Sequence, residues 1–367
     1  MAYKYTHFIP QNTAPSGTKR IGVYDSNGNR IGGIALGTLQ PPKIEKLYSF
    51  GLLSDIHLAD YRTATYTKFD NALSFFEEQG VLFCCHSGDL TDYGFWYPTA
   101  TYQVSTYNPV LFEEYRRICQ NHTIPVFGNC GNHENYNGYD IVGTYNDTYG
   151  ADPTLVINNL EKLQEYTGDG LVFTKTQGND VFIFIGQPNE NTPMADEALQ
   201  WLYETLEANR NKRCFIFVHP HISSGNPVGA YKSNLLFANW NIKKPRTTVF
   251  KNMLNHYKNT ILFHGHTHVK FVTQEQDDEA VYSKADGFHS VHVPSLGSPR
   301  DVVDGSLVNR PDEGQGYIVD VYSDCIVLNG MDLVNEKPVP LGVYKINTPL
   351  QTIPANTFAD STGTIVT

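Results

Sequence analysis

The chain is poor in charge and in cysteine pattern. Only 18% of its 367 residues are Asp, Glu, Lys or Arg, and 27 basic side chains stand against 38 acidic ones, a formal charge of -11. That balance excludes a general nucleic-acid coat, because phosphate binding over a surface needs dense basic charge. A small cationic pocket is still compatible with it. The six cysteines, Cys84, Cys85, Cys119, Cys130, Cys214 and Cys325, form no CxxC pair. They read as buried free thiols rather than a disulfide frame, and the setting expected from them is intracellular. No run approaches 18 apolar residues, so no transmembrane helix is expected. The N-terminal stretch MAYKYTHFIPQNTAPSGTKR lacks the apolar centre of a signal peptide. Repeats, charge blocks and low-complexity tracts are also missing.

What is present is core material. Hydrophobic residues make up 40% of the chain, with 23 Tyr and 20 Phe, which excludes a mainly disordered protein. Residues 1–45 stand apart: IGVYDSNGNRIGGIAL reads as two short strands around an Asn/Gly turn, and Pro41-Pro42 breaks the chain after them. From Leu47 strands alternate with helices. LYSFGLL, VLFCCHS, TIPVFGN, DVFIFIG, RCFIFVH and TILFHGH read as strands. TKFDNALSFFEEQ, PVLFEEYRRICQN, ADEALQWLYETLEA and TTVFKNMLNHYK read as helices between them. After His268 come short strands only: VKFVTQ, AVYS, HSVHVPS, GYIVDVYS and CIVLNG. This order predicts an α/β core with a second sheet packed on the first. The Pro/Thr-rich residues 331–367 read as a peripheral extension, and 46–330 as the main domain.

Five polar segments each follow an apolar strand: Ser54-Asp55-Ile56-His57, Gly88-Asp89-Leu90-Thr91-Asp92, Gly131-Asn132-His133-Glu134, His219-Pro220-His221 and Gly265-His266-Thr267-His268. The carboxyl ends of strands in open α/β sheets are where ligands bind. Singly, each segment is an ordinary polar loop; together they point to a metal site. Two divalent ions need a bridging carboxylate with imidazole and oxygen donors around each. Asp55, His57, Asp89, Asn132, His219, His266 and His268 supply that mixture, which suits Zn, Fe or Mn better than Ca. Asn129 competes with Asn132, and His221 with His219. His86, His264, His289 and His292 read as strand residues, and Cys130 as a structural thiol.

The ordered set SDIH, GDLTD, GNHE, a strand-terminal His and GHTH resembles the calcineurin-like metallophosphoesterase (metallo-dependent phosphatase) family over roughly residues 47–330. The resemblance implies a four-layer α/β/β/α sandwich of two mixed β-sheets flanked by helices, here with the small N-terminal β appendage. It implies two divalent metal ions as cofactors: Asp55, His57 and His268 on the first, Asp89 bridging, and Asn132, His219 and His266 on the second. His133 would face the scissile phosphoester, with Asp92 orienting it. The implied reaction is hydrolysis by a metal-activated water, with His133 serving the leaving oxygen.

Protein phosphatases of the family carry Arg after the second Asp of GDxxD; this chain has Tyr93. A small phosphodiester of cyclic-nucleotide or glycerophosphodiester type is therefore the expected substrate. Tyr93 and Arg300 are the candidate substrate contacts, and for Arg300 a solvated loop charge is the alternative. The competing functional readings are a phosphomonoesterase of the same fold, and a phosphoesterase-fold module carried by an attachment or structural protein of prophage type. In the latter, residues 1–45 would attach the chain or join copies of it. The expected location is cytoplasmic, or virion-associated if the chain is phage-derived.

Overall fold

The computed structural model describes residues 20–24, 30–35, 45–59, 62–92, 104–134, 164, 170–187, 196–220, 244–271, 282–283, 287–303 and 306–358. The chain divides into two units, Met1–Glu45 and Lys46–Thr367. In the first, β1 (Arg20–Tyr24) and β2 (Arg30–Ala35) pair antiparallel, with Ile21 opposite Ile34. No helix of the described residues is long and apolar enough to cross a membrane.

The second unit holds two six-stranded mixed sheets. One contains β3 (Lys46–Leu53), β4 (Cys84–His86), β5 (Val126–Gly128), β14 (Gln315–Tyr322), β15 (Cys325–Asp332) and β16 (Lys337–Asn347). Their order is β16-β15-β14-β3-β4-β5, parallel from β3 to β5 and antiparallel elsewhere. The other contains β6 (Val172–Gln177), β7 (Asp180–Ile185), β8 (Cys214–Val218), β9 (Thr260–His264), β10 (Tyr282–Ser283) and β11 (His289–His292). It runs β10-β11-β9-β8-β7-β6, with β7, β8, β9 and β11 parallel. The helices are α1 (Ala64–Glu78), α2 (Val104–Gln120), α3 (Asp196–Ala208) and α4 (Lys244–His256).

Strand alternation sorts side chains by shape. In β7 and β8 the odd and even faces separate cleanly. Val181, Ile183, Ile185, Ile216 and Val218 meet Leu199, Leu202, Val249 and Met253 of α3 and α4. Phe182, Phe184, Phe215 and Phe217 point the other way and pack with Phe50, Leu52 and Val319 of the facing sheet. A third cluster sets Phe69, Ala72, Leu73 and Phe76 of α1, at helical spacing, and Phe112, Tyr115 and Ile118 of α2 against Leu53 and Cys84. Three apolar layers between four layers of structure make the α/β/β/α sandwich.

At the N-terminal ends of the strands a buried ion pair joins the two sheets. Arg213 Nε and Nη2 reach Asp180 Oδ1 and Oδ2 at 3.0 and 2.7 Å, and Tyr48 donates its hydroxyl to Asp180 Oδ2 at 2.6 Å. Burial, then the Asp180 charge, raises the Tyr48 phenol well above its usual range.

The structure departs from the sequence reading in four places, the fourth being the edge strand β6, which that reading lacked. Strand pairing continues past residue 330: β15 crosses that boundary and β16 pairs with it, Ile346 opposite Ile326. Ile353 and Phe358 then enter the apolar layer over α3 and α4. Residues 337–358 are thus sheet and core, not a peripheral extension. Pro338 and Pro340 disguise β16, and an edge strand tolerates them because one side makes no ladder. The stretch from Val269 makes a lone bridge from Val269 to Arg300 instead of a strand, as far as Phe271 where description stops. The third difference is an added hairpin, β12 (Arg300–Val303) with β13 (Ser306–Asn309).

Candidate metal centre

Loops at the carboxyl ends of β3, β4, β5, β8 and β9 meet at one place. The parallel pairing of β3 with β4 is prolonged by loop hydrogen bonds, from Asp55 N to Gly88 O (3.1 Å) and His57 N to Asp89 O (3.0 Å). Asp55, His57, Asp89, His266 and His268 all take left-handed backbone, φ between 49° and 72°. Such conformations cost about 1–3 kcal/mol each in residues with a Cβ, and persist where the surroundings over-determine them. Gly265 has a different reason to be glycine: a Cβ there would collide with Ser54 Oγ and Asp55 Oδ2.

Three donor groups result, each within 4.8 Å; two of them share Asp89, and the third, His57, Asp92 and His133, adjoins the first. In the first, His268 Nε2 lies 3.0 Å from Asp55 Oδ1 and 3.0 Å from His57 Nε2, and His57 Nε2 is 3.7 Å from Asp89 Oδ2. In the second, His219 Nε2 is 3.0 Å from Asp89 Oδ2, and His266 Nδ1 lies 3.2 Å from His219 Nε2 and 3.1 Å from Asn132 Oδ1. Asp89 Oδ2 belongs to both. That atom is buried without an aligned hydrogen bond, while Oδ1 of the same carboxylate accepts His133 N at 3.0 Å.

The rings are aimed by their outer nitrogens. His219 Nδ1 contacts Ser87 O at 2.9 Å, and His268 Nδ1 contacts Ser298 O at 3.0 Å. A carbonyl only accepts, so each Nδ1 carries a proton and each Nε2 is the nitrogen turned inward. Asp55 is held by the His266 amide (3.1 and 3.0 Å) and by Ser54 Oγ.

The charges of the centre act strongly on one another. Burial opposes ionisation of Asp55, Asp89 and Asp92, yet the surrounding imidazoles keep all three carboxyls below their usual range. Burial would depress His57, but Asp92, Asp55 and Asp89 raise it to about 10; Asp89 and Asp55 similarly raise His219 to about 9. His268 is pushed down to about 4 by burial and then by Arg300, and His266 falls by burial and His219. Clustered carboxylates thus draw positive charge into a buried place, beside neutral imidazole lone pairs. That donor set fits two divalent metal ions.

His133 and Asp92 sit beside this centre, His133 Nδ1 being 2.9 Å from Asp92 Oδ1 and its Nε2 3.8 Å from Asp89 Oδ2. Asn129 turns away, its Nδ2 donating to Ile185 O (2.7 Å) and Phe217 O (3.1 Å), so Asn132 is the amide at the centre. His86 is buried, kept neutral by burial at a pKa of about 3, and packs beside Tyr115. His264 and His292 lie in the sheet; His292 Nε2 meets Thr267 Oγ1 at 2.6 Å. Burial pushes the Cys130 thiol far up, consistent with a structural role. Tyr93 and His221 fall outside the described residues.

Three supporting residues escaped the sequence reading. Glu134 accepts Thr91 N (2.8 Å) and Gly131 N (2.6 Å), tying the second and third loops; its only signal was its place in GNHE. Arg62 Nη1 reaches Asp92 Oδ2 at 2.9 Å. Lys68, buried in α1, donates to the carbonyls of Gly297 (2.9 Å), Pro311 and Glu313, and so anchors the loop that carries Ser298. Nothing local in the sequence marks either cation.

The calcineurin-like phosphoesterase family model matches residues 48–270, well over half of the chain. The chain belongs to the calcineurin-like phosphoesterase family. Solved structures agree on the fold. A dimetal phosphatase from Danio rerio superposes with a TM-score of 0.55 at 15% identity, covering 83% of this chain and 100% of that one. Purple acid phosphatase PPD1 from yellow lupin (Lupinus luteus) gives 0.50 at 12% identity over 82% of this chain and 54% of its own. PhoD gives 0.50 at 12% identity, over 83% and 72%. No curated protein matches the chain in sequence. This calcineurin-like phosphoesterase draws the two groups that share Asp89 from both sheets: Asp55, His57, Asp89 and Asn132 follow β3, β4 and β5, while His219, His266 and His268 follow β8 and β9.

Proposed function

We propose that this chain hydrolyses small phosphodiesters. The observation that carries the reading is the shared, buried Asp89 Oδ2 between two imidazole-containing donor groups, with the His133–Asp92 pair beside it. Asp55, His57 and His268 would hold one divalent ion, Asn132, His219 and His266 the other, and Asp89 both. When bound, such ions lower the pKa of water and offset charge building on phosphoryl oxygens. The chain's own part is positioning and proton delivery. Asp92 fixes the His133 ring through Nδ1, so that Nε2–H can protonate the departing alkoxide. Arg62, on the other oxygen of Asp92, keeps that carboxylate in place.

A diester is preferred because Tyr93 stands where protein phosphatases of the family place a phosphate-clamping Arg. A monoester is the second reading, favoured by the likeness to the Danio rerio protein, a dimetal phosphatase. Turnover of bis-p-nitrophenyl phosphate and p-nitrophenyl phosphate by the Mn-, Zn- or Fe-loaded protein separates them. Faster hydrolysis of the diester is expected, and a clear monoester preference would refute it. Residues 1–45 are read as an attachment or oligomerisation unit, and an unchanged oligomeric state in solution together with unchanged binding after their deletion would remove that role.

A further inference from the structure

The two rings aimed by carbonyls lean on different supports. Ser87, which holds His219, directly follows β4, and its amide donates to Leu53 O at 3.1 Å, so it belongs to the end of the sheet. Ser298, which holds His268, lies in the connection between β11 and β12 and has no strand ladder around it. Toward the centre this connection is fastened to the backbone of the first ligand loop. Leu296 N donates to Ser54 O and Gly297 N to Asp55 O, both at 3.0 Å. Ser295 Oγ donates to Asp55 O at 2.8 Å and accepts Ser298 N at 2.9 Å. Gly297 is pressed so close that a Cβ there would collide with Ile56 O. Arg300 ends the connection, its amide donating to His268 O at 2.8 Å and its Nε to Asn309 Oδ1 at 3.0 Å.

From α1 the same connection is held by one side chain. Lys68 Nζ donates to Gly297 O at 2.9 Å, to Pro311 O at 2.6 Å and to Glu313 O. An ammonium has three N–H donors and no acceptor, and these three carbonyls use it completely. Burial lowers the Lys68 pKa to about 8, so the charged form prevails at pH 7. Its anchorage is firm at the far side as well, because the Glu313 carboxylate pairs with Lys270, close after His268 in the chain. Gly297 O is one peptide before Ser298 O, the atom that orients His268. Lys68 thus reaches the first donor group through two consecutive peptides, and none of its bonds leads toward His219 or His266.

We infer that Lys68 is a positioning residue for one metal site alone: by holding Gly297 O it fixes the Ser298 carbonyl and with it the His268 ring. It thereby sets the affinity for the ion held by Asp55, His57 and His268, and leaves the ion at Asn132, His219 and His266 as it is. Lys68 itself touches neither a ligand side chain nor the reacting atoms. The inference rests on the two-metal reading of the centre and is independent of which ester is hydrolysed.

Calorimetric titration of the full chain with Mn at pH 7 tests the inference. In Lys68→Met one binding step should weaken about 10–100-fold, as for loss of a group that orients a ligand, while the other step keeps its affinity. His268→Ala identifies the step. Adding Lys68→Met to His268→Ala should change Mn binding no further, because the ring that Lys68 positions is already gone. A lysine that served only global stability would weaken both steps together or neither, and either result overturns the inference. So does a further loss when Lys68→Met is added to His268→Ala. Where Lys68→Met does not fold, Lys68→Gln, which keeps two N–H donors, carries the same comparison. Metal binding is read without turnover, so the two proposals fail separately. A selective loss of Mn affinity in a protein that hydrolyses no phosphoester defeats only the reaction. Hydrolysis with both Mn affinities intact in Lys68→Met defeats only the role of Lys68.

Discussion

Asp92 lies 2.9 Å from Nδ1 of His133 through one carboxylate oxygen and 2.9 Å from Arg62 through the other. The imidazole therefore has one orientation, with Nε2 toward the shared oxygen of Asp89. His133→Ala should retain both metal ions and lose ~10²–10⁴-fold in kcat. Asp92→Asn, which leaves the ring in place with weaker support, should lose about 10–100-fold. Elemental analysis beside steady-state kinetics checks both, and full activity in His133→Ala would remove its proposed role.

Asp89→Ala should act on the opposite quantity. Its Oδ2 is common to two of the donor groups, so its loss should lower bound metal to below about one ion per chain and abolish turnover. Undiminished metal content in this variant would show that the carboxylate does not bridge.

The ion pair at the far end of the strands should be a stability feature alone. Asp180→Ala leaves the Arg213 guanidinium buried without its carboxylate and should cost ~3–5 kcal/mol in denaturant unfolding. Tyr48→Phe removes one hydrogen bond to that charge and should cost about 1.5–3 kcal/mol. Neither change should alter the metal content of the folded protein.

Glu336 offers a gain. It ends the turn before β16 with φ 53°, left-handed backbone that glycine adopts without strain. Glu336→Gly should raise unfolding stability by ~0.5–1 kcal/mol, the strain relieved exceeding glycine's extra freedom when unfolded. A lower unfolding midpoint would contradict this account of the turn.

Legibility followed how locally each feature is encoded. The runs DVFIFI, CFIFV and TILFH declare themselves because central parallel strands are apolar on both faces. Candidate ligands such as Asp55 and His268 were visible because each follows such a run directly. Asn132 stood ahead of Asn129 because His-Glu follows it directly; where Asn129 goes instead, to the strand-end carbonyls of Ile185 and Phe217, no spacing reveals. Arg62 and Lys68 were silent for a related reason: their partners Asp92, Gly297 and Pro311 are distant in sequence. β6 and β16 were missed because edge strands keep one flank polar or proline-bearing.

The donor groups take Asp55, His57, Asp89 and Asn132 from one sheet and three histidines from the other, and the Asp180 carboxylate with Arg213 and Tyr48 ties the same two sheets at their other end. The sandwich is thus clasped twice, once by a permanent covalently carried pair of charges and once by ions that can be withdrawn. Chelation undoes one clasp only. Amide exchange after chelation should accelerate around Gly88, Gly131 and Gly265 while the amides near Asp180 and Arg213 stay slow, so that the protein loosens like a book held by its spine.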